Sequence, residues 1–186
     1  FYAPVVLWVN VVLALGALMI PKTVAYVMVV VTGYRAFASK FSAQSLLKYS
    51  FVSLVLGLTG GVFFREFTKL FEYTGNTFLG KIHVHTLVLG FVGFALAYLL
   101  VTALQKYDAE LMAKLKTPIR LWLVGLVMSV VFMWLHGIIE VTGGHYGNIP
   151  VAAISGLAGI GHIHLAVGLV WVMAVFSRAA RTAQNA

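Results

Sequence analysis

Four long apolar segments limit what this chain can fold into. They are Leu46–Phe64, Ile82–Leu104, Pro118–Val141 and Val151–Ser177. A helix needs about 20 mainly apolar residues to cross the hydrocarbon core of a bilayer, and each segment comes close to or exceeds that length. The whole chain is 61% hydrophobic and 10% charged, whereas soluble domains are roughly 45–50% apolar and about 25% charged. The sequence therefore predicts an all-α integral membrane helix bundle with four transmembrane helices.

Residues 1–45 form a separate hydrophobic region ahead of these spans. Phe1–Ile20 is long enough to cross a membrane alone, but Pro21 interrupts the apolar run and residues 23–37 add only a shorter one. Proline inside a helix removes a backbone donor and breaks or kinks the helix. We expect an N-terminal hydrophobic helical arm with one or two further helices, followed by the bundle of residues 46–186.

The basic residues indicate a membrane orientation rather than a nucleic-acid partner. The chain has 13 Lys and Arg against 5 Asp and Glu, a formal net charge of +8, but these residues lie in short loops between apolar spans. Lys and Arg accumulate on the cytoplasmic side of such loops. We therefore expect a multi-pass protein of the bacterial inner (cytoplasmic) membrane with a cytoplasmic C-terminus, in contact with the lipid bilayer and not with nucleic acid. Nine basic residues would be cytoplasmic and three external: Arg35, Lys40, Lys48, Lys106, Lys114, Lys116, Arg120, Arg178 and Arg181 against Arg65, Lys69 and Lys81.

Two His-x-His motifs are the most informative local feature. His83 and His85 open the second span, and His162 and His164 lie inside the fourth. Ionisable side chains inside a membrane are costly and usually mark function. Imidazole binds metals as a neutral group, and the complete absence of cysteine removes thiolate ligands. The motifs thus predict a cofactor or metal site in the membrane.

The spacing of the motifs restricts the kind of site. Residues two apart on an α-helix point about 200° away from each other, so one motif offers only one imidazole to a given neighbour. Two facing helices can then place one histidine on each side of a planar macrocycle in a helix bundle. We predict that His85 and His162, the cross-motif pair closest in estimated depth, are the axial ligands of a haem b iron and that His83 and His164 face away. A pairing of His85 with His136 is the alternative, because His136 lies at a similar estimated depth. A second haem or a copper ion is the further option.

Three other residues enter the predicted site. His136 and Glu140 are neighbours at i, i+4 near the end of the third span, where they form either a structural pair, a third ligand or a proton relay. Arg65, at the end of the first span, is expected to contact an anionic group of the cofactor because its guanidinium binds carboxylates in a bidentate manner.

The motifs also support two resemblances. Residues 46–177, including the stretch from Gly61 to Lys69, Ile82–His85 and Ile154–His162, resemble a family of small bacterial integral membrane proteins of unknown function. More distantly, Gly161–Leu165 is similar to the His-x-His helix of haem–copper oxidase subunit I. That likeness implies the haem-holding half of such a protein without oxygen reduction, because the chain is far shorter and contains no adjacent histidine pair for copper.

These observations together predict a membrane-embedded haem b electron-transfer protein, as one subunit of a larger respiratory or redox complex, with other redox subunits or a quinone as partners. Two alternatives remain open at this point. The same histidines suit a copper- or zinc-handling membrane protein, and a structural or accessory bundle needs no cofactor.

The predicted orientation can be tested by cysteine labelling, because every introduced cysteine is unique in this chain. With the 105–117 and 178–186 segments in the cytoplasm, Glu110→Cys should react with an impermeant maleimide only after lysis, whereas Thr74→Cys should react in intact cells. Labelling of Glu110→Cys in intact cells would overturn the topology.

Overall fold

The computed structural model describes residues 41–144 and 151–186, and these residues form four helices without any strand. Helix α1 covers Ala43–Leu70, α2 covers Leu79–Leu104, α3 covers Leu111–Thr142 and α4 covers Val151–Gln184. The predicted N-terminal arm lies, up to residue 40, outside the described residues. The short connections at 71–78 and 105–110 make successive helices run in opposite directions. We call the end of the bundle where α1 and α3 end and α2 and α4 begin the 71–78 end.

All four helices are long and apolar enough to cross a membrane. Many large apolar side chains on their surfaces are exposed, among them Val170 at 71% and Ile163 at 64%. Such side chains are stable on a protein surface when lipid tails cover them. The protein is thus a multi-pass membrane protein in a lipid bilayer, and the predicted fold class is confirmed.

Helix α3 begins earlier than the apolar segment that predicted it. The sequence places its start at Pro118, whereas the helix begins at Leu111. The preceding turn is fixed by Lys114, whose Nζ lies 2.9 Å from Asp108 Oδ2. This extension alternates buried Leu111 and Leu115 with charged residues such as Lys114, so it does not read as part of a continuous apolar segment and hydropathy misses it. Pro118 is therefore inside the helix, where it lacks the N–H that would bond the carbonyl of Lys114.

Helix α2 contains a π-helical segment, Thr86–Val92, directly after His85. Wider π turns are rare and occur often at functional sites. Polar side chains satisfy the local backbone: Thr86 Oγ1 donates to the Ile82 carbonyl at 2.8 Å, and Ser50 Oγ of α1 donates to the Phe91 carbonyl at 2.9 Å. The π segment is thus held by hydrogen bonds that require no water, as the bilayer demands.

Helices α3 and α4 pack along their length through glycines. A Cβ added at Gly161 would lie 2.8 Å from the Ser129 backbone nitrogen, and one added at Gly125 or Gly168 would lie closer still to the backbone nitrogen of Leu165 or Trp122. Lipid tails are as apolar as leucine side chains, so membrane helices associate largely through close packing of small residues. These glycines fix the position and rotation of α4 against α3.

A buried cluster closes the 71–78 end of the bundle. Leu79, Ile82, Met133 and Val141 form its centre. Around it, the ring of Phe63 on α1 stacks on that of Trp134 on α3, with 4.5 Å between centroids. This cluster ties α1, the start of α2 and the end of α3 together.

The glycine contact between α3 and α4 makes a paired prediction. Gly161→Ala should lower the free energy of unfolding by about 1–3 kcal/mol, because the new methyl overpacks the Ser129 backbone. Gly156→Ala is the matched control on the same helix, since no atom lies within 4 Å of its added Cβ, and it should cause no loss. Unfolding of the detergent-solubilised protein by SDS measures both changes. Equal stability of the two variants would contradict the close contact.

Candidate functional site

The structure brings His85 of α2 and His162 of α4 together inside the membrane region. Their ring centroids are 5.8 Å apart and the ring planes cross at 84°. No hydrogen bond joins the two rings. The edge of one ring points toward the face of the other, and the His162 side chain is exposed. Two helices that are distant in sequence thus each supply one imidazole to one location.

In each ring, Nδ1 forms a hydrogen bond with a backbone carbonyl of the same helix. His85 Nδ1 lies 3.0 Å from the Lys81 carbonyl, and His162 Nδ1 lies 2.8 Å from the Ala158 carbonyl. A carbonyl oxygen only accepts, so Nδ1 carries the proton in both rings. In this tautomer of the neutral ring, Nε2 carries the free lone pair. Metal-ligating histidines are commonly held in this way, with the second ring nitrogen donating to a carbonyl.

The surroundings of His162 are small and partly polar. Ser129 of α3 is fully buried, and its Oγ lies 3.4 Å from His162 Nδ1. One turn before His162, a Cβ at Gly159 would meet no atom within 4 Å. The glycines of α4 thus have two roles: Gly161 and Gly168 pack against α3, whereas Gly156 and Gly159 border open space.

His83 and His164 are not part of this pair. His83 lies toward α1, where a Cβ on Gly61 would be 3.6 Å from His83 Cβ, and its buried Nδ1 has no hydrogen-bond partner in the described part of the chain. His164 Nδ1 bonds the Ile160 carbonyl at 2.9 Å within α4. In each motif, therefore, one histidine belongs to the pair and the other lies in a different environment.

His136 and Glu140 lie in a second polar cluster at the 71–78 end. His136 Nε2 is 3.7 Å from Glu140 Oε1, and the His136 ring stacks on Phe78 with 4.5 Å between centroids. Ser155 Oγ approaches His136 Nδ1 at 3.5 Å. Ser155 precedes His162, and Phe78 precedes His85, by seven residues each, so this cluster lies about 10 Å from the histidine pair along the helices.

Arg65 is not brought to the histidine pair. Its side chain is 81% exposed, and its guanidinium is 3.9 Å from the neighbouring Glu66 carboxylate. Its predicted contact with an anionic cofactor group stays a prediction. Across residues 41–144 and 151–186, no group of three or more His, Asp or Glu side chains is arranged to hold a metal ion. The site is built on a pair of imidazoles.

One residue of these clusters, Ser129, and one contact, that of Glu140 with Phe78, have no clear signal in the sequence. Ser129 is one of many small residues in an apolar span, and only its position opposite Gly161 makes it a neighbour of His162. Glu140 Oε2 accepts the backbone N–H of Phe78 at 2.8 Å, at the residue that precedes α2. The sequence suggests Glu140 as a partner of His136, but the cap on a distant helix requires the tertiary structure.

The fold and the paired intramembrane histidines define a class: multi-pass α-helical membrane proteins that join polar side chains of different spans within the bilayer. The chain belongs to a family described as protein of unknown function (DUF2871), whose model matches residues 43–179. No curated protein matches the chain, and no solved structure does so either. No likeness to haem–copper oxidases is shown by these comparisons.

The cap on α2 predicts a graded effect of substitutions at Glu140. Glu140→Ala should destabilise the protein by about 1–3 kcal/mol, because the partly buried Phe78 N–H loses its acceptor. Glu140→Gln keeps a carbonyl oxygen in the same place and should lose less. SDS unfolding of the two variants measures the difference. If Glu140→Ala were as stable as Glu140→Gln, the hydrogen bond to Phe78 would contribute nothing.

Proposed function

We propose that His85 and His162 are the axial ligands of a haem b and that the protein transfers electrons within a membrane redox complex. The observation that carries this proposal is the placement of two imidazoles from separate spans, 5.8 Å apart, with both Nδ1 atoms bonded to carbonyl oxygens. This arrangement leaves two Nε2 lone pairs for one ion.

The separation of the rings supports shared ligation. An imidazole nitrogen binds a transition metal at about 2 Å, so two rings on opposite sides of one ion have centroids about 6 Å apart. Electrostatics favours the same ligand set, because neutral imidazoles add no charge to the low-dielectric interior of the membrane.

The number of ligands distinguishes haem from a bare metal ion. Haem iron already has four porphyrin nitrogens and takes its axial ligands from the protein, so two histidines complete its coordination. Structural zinc takes four protein ligands and catalytic zinc takes three. The pair therefore favours haem over the zinc alternative, and the open space at Gly159 is a place for the edge of a macrocycle. Visible spectra and metal analysis distinguish haem from copper.

The proposed orientation follows from the basic residues. In a bacterial inner membrane with a cytoplasmic C-terminus, the 71–78 end faces outward and the 105–110 connection faces the cytoplasm. The histidine pair then lies nearer the outer surface, and other redox subunits are the expected partners of the complex.

Visible spectra of histidine variants test the proposal. The purified protein should show a Soret band and the spectrum of a low-spin haem. His162→Ala and His85→Ala should each convert the haem to high spin or lose it, because one axial ligand is missing. His164→Ala is the matched control, since His164 belongs to the same motif and makes the same bond to its own helix. It should keep the low-spin spectrum.

Four outcomes decide against parts of this assignment. Absence of a Soret band in the wild-type protein, together with bound copper or zinc in metal analysis, would favour the metal-handling alternative. Absence of both haem and metal would favour an accessory bundle. Low-spin haem retained in both His85→Ala and His162→Ala would exclude this pair as ligands, and more than one haem per chain would place a second at other histidines.

A further inference from the structure

A cavity of about 580 Å³ lies at the 71–78 end of the bundle. Its walls come from α1, the 71–78 connection, the start of α2 and the end of α3, and they include Phe64, Asn76, Phe78, Lys81 and Glu140. Sites for small organic ligands typically have volumes of about 300–1,000 Å³ and combine apolar walls with a few polar groups. The cavity therefore has the size and the lining of a ligand site.

The cavity presents both a hydrogen-bond acceptor and donors between aromatic walls. Glu140 supplies a carboxylate, of which Oε2 accepts the Phe78 N–H at 2.8 Å and Oε1 lies 3.7 Å from His136 Nε2. Lys81 supplies an ammonium group, which lies 4.5 Å from the centroid of the Phe78 ring. Asn76 adds a side-chain amide that can donate as well.

Lys81 and Glu140 line the same cavity but form no ion pair with each other, although both are described and each has another partner. Because Lys81 and Glu140 are not paired with each other, a ligand between them can accept a hydrogen bond from Lys81 and donate one to Glu140. An anionic group such as a haem propionate is disfavoured by the Glu140 carboxylate. A neutral, flat ligand with oxygens at both ends fits this charge distribution.

One residue that lines the cavity is hydrogen-bonded to the histidine pair. The Lys81 carbonyl accepts the Nδ1–H of His85 at 3.0 Å, so a residue of the cavity wall orients one of the proposed haem ligands. Along α2, Phe78 lies about 10 Å from His85. A redox-active ligand in the cavity is thus close enough to exchange electrons with a metal between His85 and His162.

From these observations we infer that the cavity binds the head group of a lipid-soluble hydroquinone, with Glu140 as its hydrogen-bond and proton acceptor. This inference rests on the proposed haem site. One hydroquinone loses two protons and two electrons to become the quinone. The two electrons reduce the ferric haems of two protein molecules, and the protons leave through Glu140, with His136 as the next group in line. Lys81 and Asn76 donate to the oxygens of the quinone that is formed.

Binding is measured first and does not depend on haem. The protein is purified in detergent, with whatever haem it carries, kept reduced with dithionite under anaerobic conditions, and titrated with decylubiquinol and with menadiol by calorimetry. We expect one site per chain. Lys81→Met and Glu140→Gln should each weaken binding at least 10-fold. Glu72→Gln is the matched control, since Glu72 is an exposed carboxylate of the same end of the bundle that does not line the cavity, and it should bind like the wild type.

Electron transfer is measured second, by anaerobic stopped-flow mixing of the ferric protein with decylubiquinol or menadiol. The haem should be reduced with two haems per hydroquinone. Glu140→Gln should slow this reduction at least 10-fold, because the amide keeps the Phe78 cap but cannot take up a proton. Dithionite, which needs no site, should reduce this variant as completely as the wild type.

The outcomes separate this inference from the proposed function. A low-spin haem that neither hydroquinone reduces, in a protein that binds neither of them, overturns the quinol site and leaves the haem site standing. Hydroquinone binding that weakens in Lys81→Met and Glu140→Gln, in a protein without haem, supports the cavity assignment and overturns the electron-transfer role. Hydroquinone affinity unchanged in both variants overturns the cavity as the site, and co-purification of a zwitterionic phospholipid lost in both variants would assign the cavity to a lipid head group instead.

Discussion

The close contact of α3 with α4 determines where His162 lies in the bundle. In a bilayer, helices gain little from leaving lipid for each other, so small residues that allow backbones to approach decide how helices pack. Gly161 lies against Ser129 of α3. Because His162 is the next residue, it is rotated by about 100° around α4 and lies toward α2. The contact of Gly161 with α3 thereby also fixes the direction in which His162 points.

The spans were predictable, and so was the separation of the two histidines within each motif, because both depend on local sequence. Apolar length identifies a membrane helix wherever it occurs, and a His-x-His spacing separates two imidazoles on any helix. The helix boundaries were less predictable. Helix α3 begins at Leu111, seven residues before the apolar segment. Hydropathy identifies the part of a helix that lies in the membrane and does not detect a helical extension beyond it. The N-terminal arm stays a prediction up to residue 40.

The level of the histidines in the membrane shows a second limit of sequence reasoning. Counted from the ends of the apolar segments at 1.5 Å per residue, His85 and His162 differ in depth by about 6 Å, yet their rings are neighbours. Apolar segments do not end at one plane: α4 continues as a helix to Gln184, well beyond Ser177. The level of a side chain follows from interhelical contacts such as Gly161 with Ser129, and those contacts need the tertiary structure.

The π segment makes the position of His85 depend on the exact number of residues in α2. A π turn holds one more residue than the α turn that it replaces, and Thr86–Val92 separates His85 from the rest of the helix. Loss of a single residue there would restore regular α geometry and turn the first part of α2 by about 100° relative to 93–104. His85 would then point away from His162. The length of this segment is therefore as much a part of the site as the imidazoles, and homologous chains that keep both histidines but differ by one residue in this region would have different chemistry.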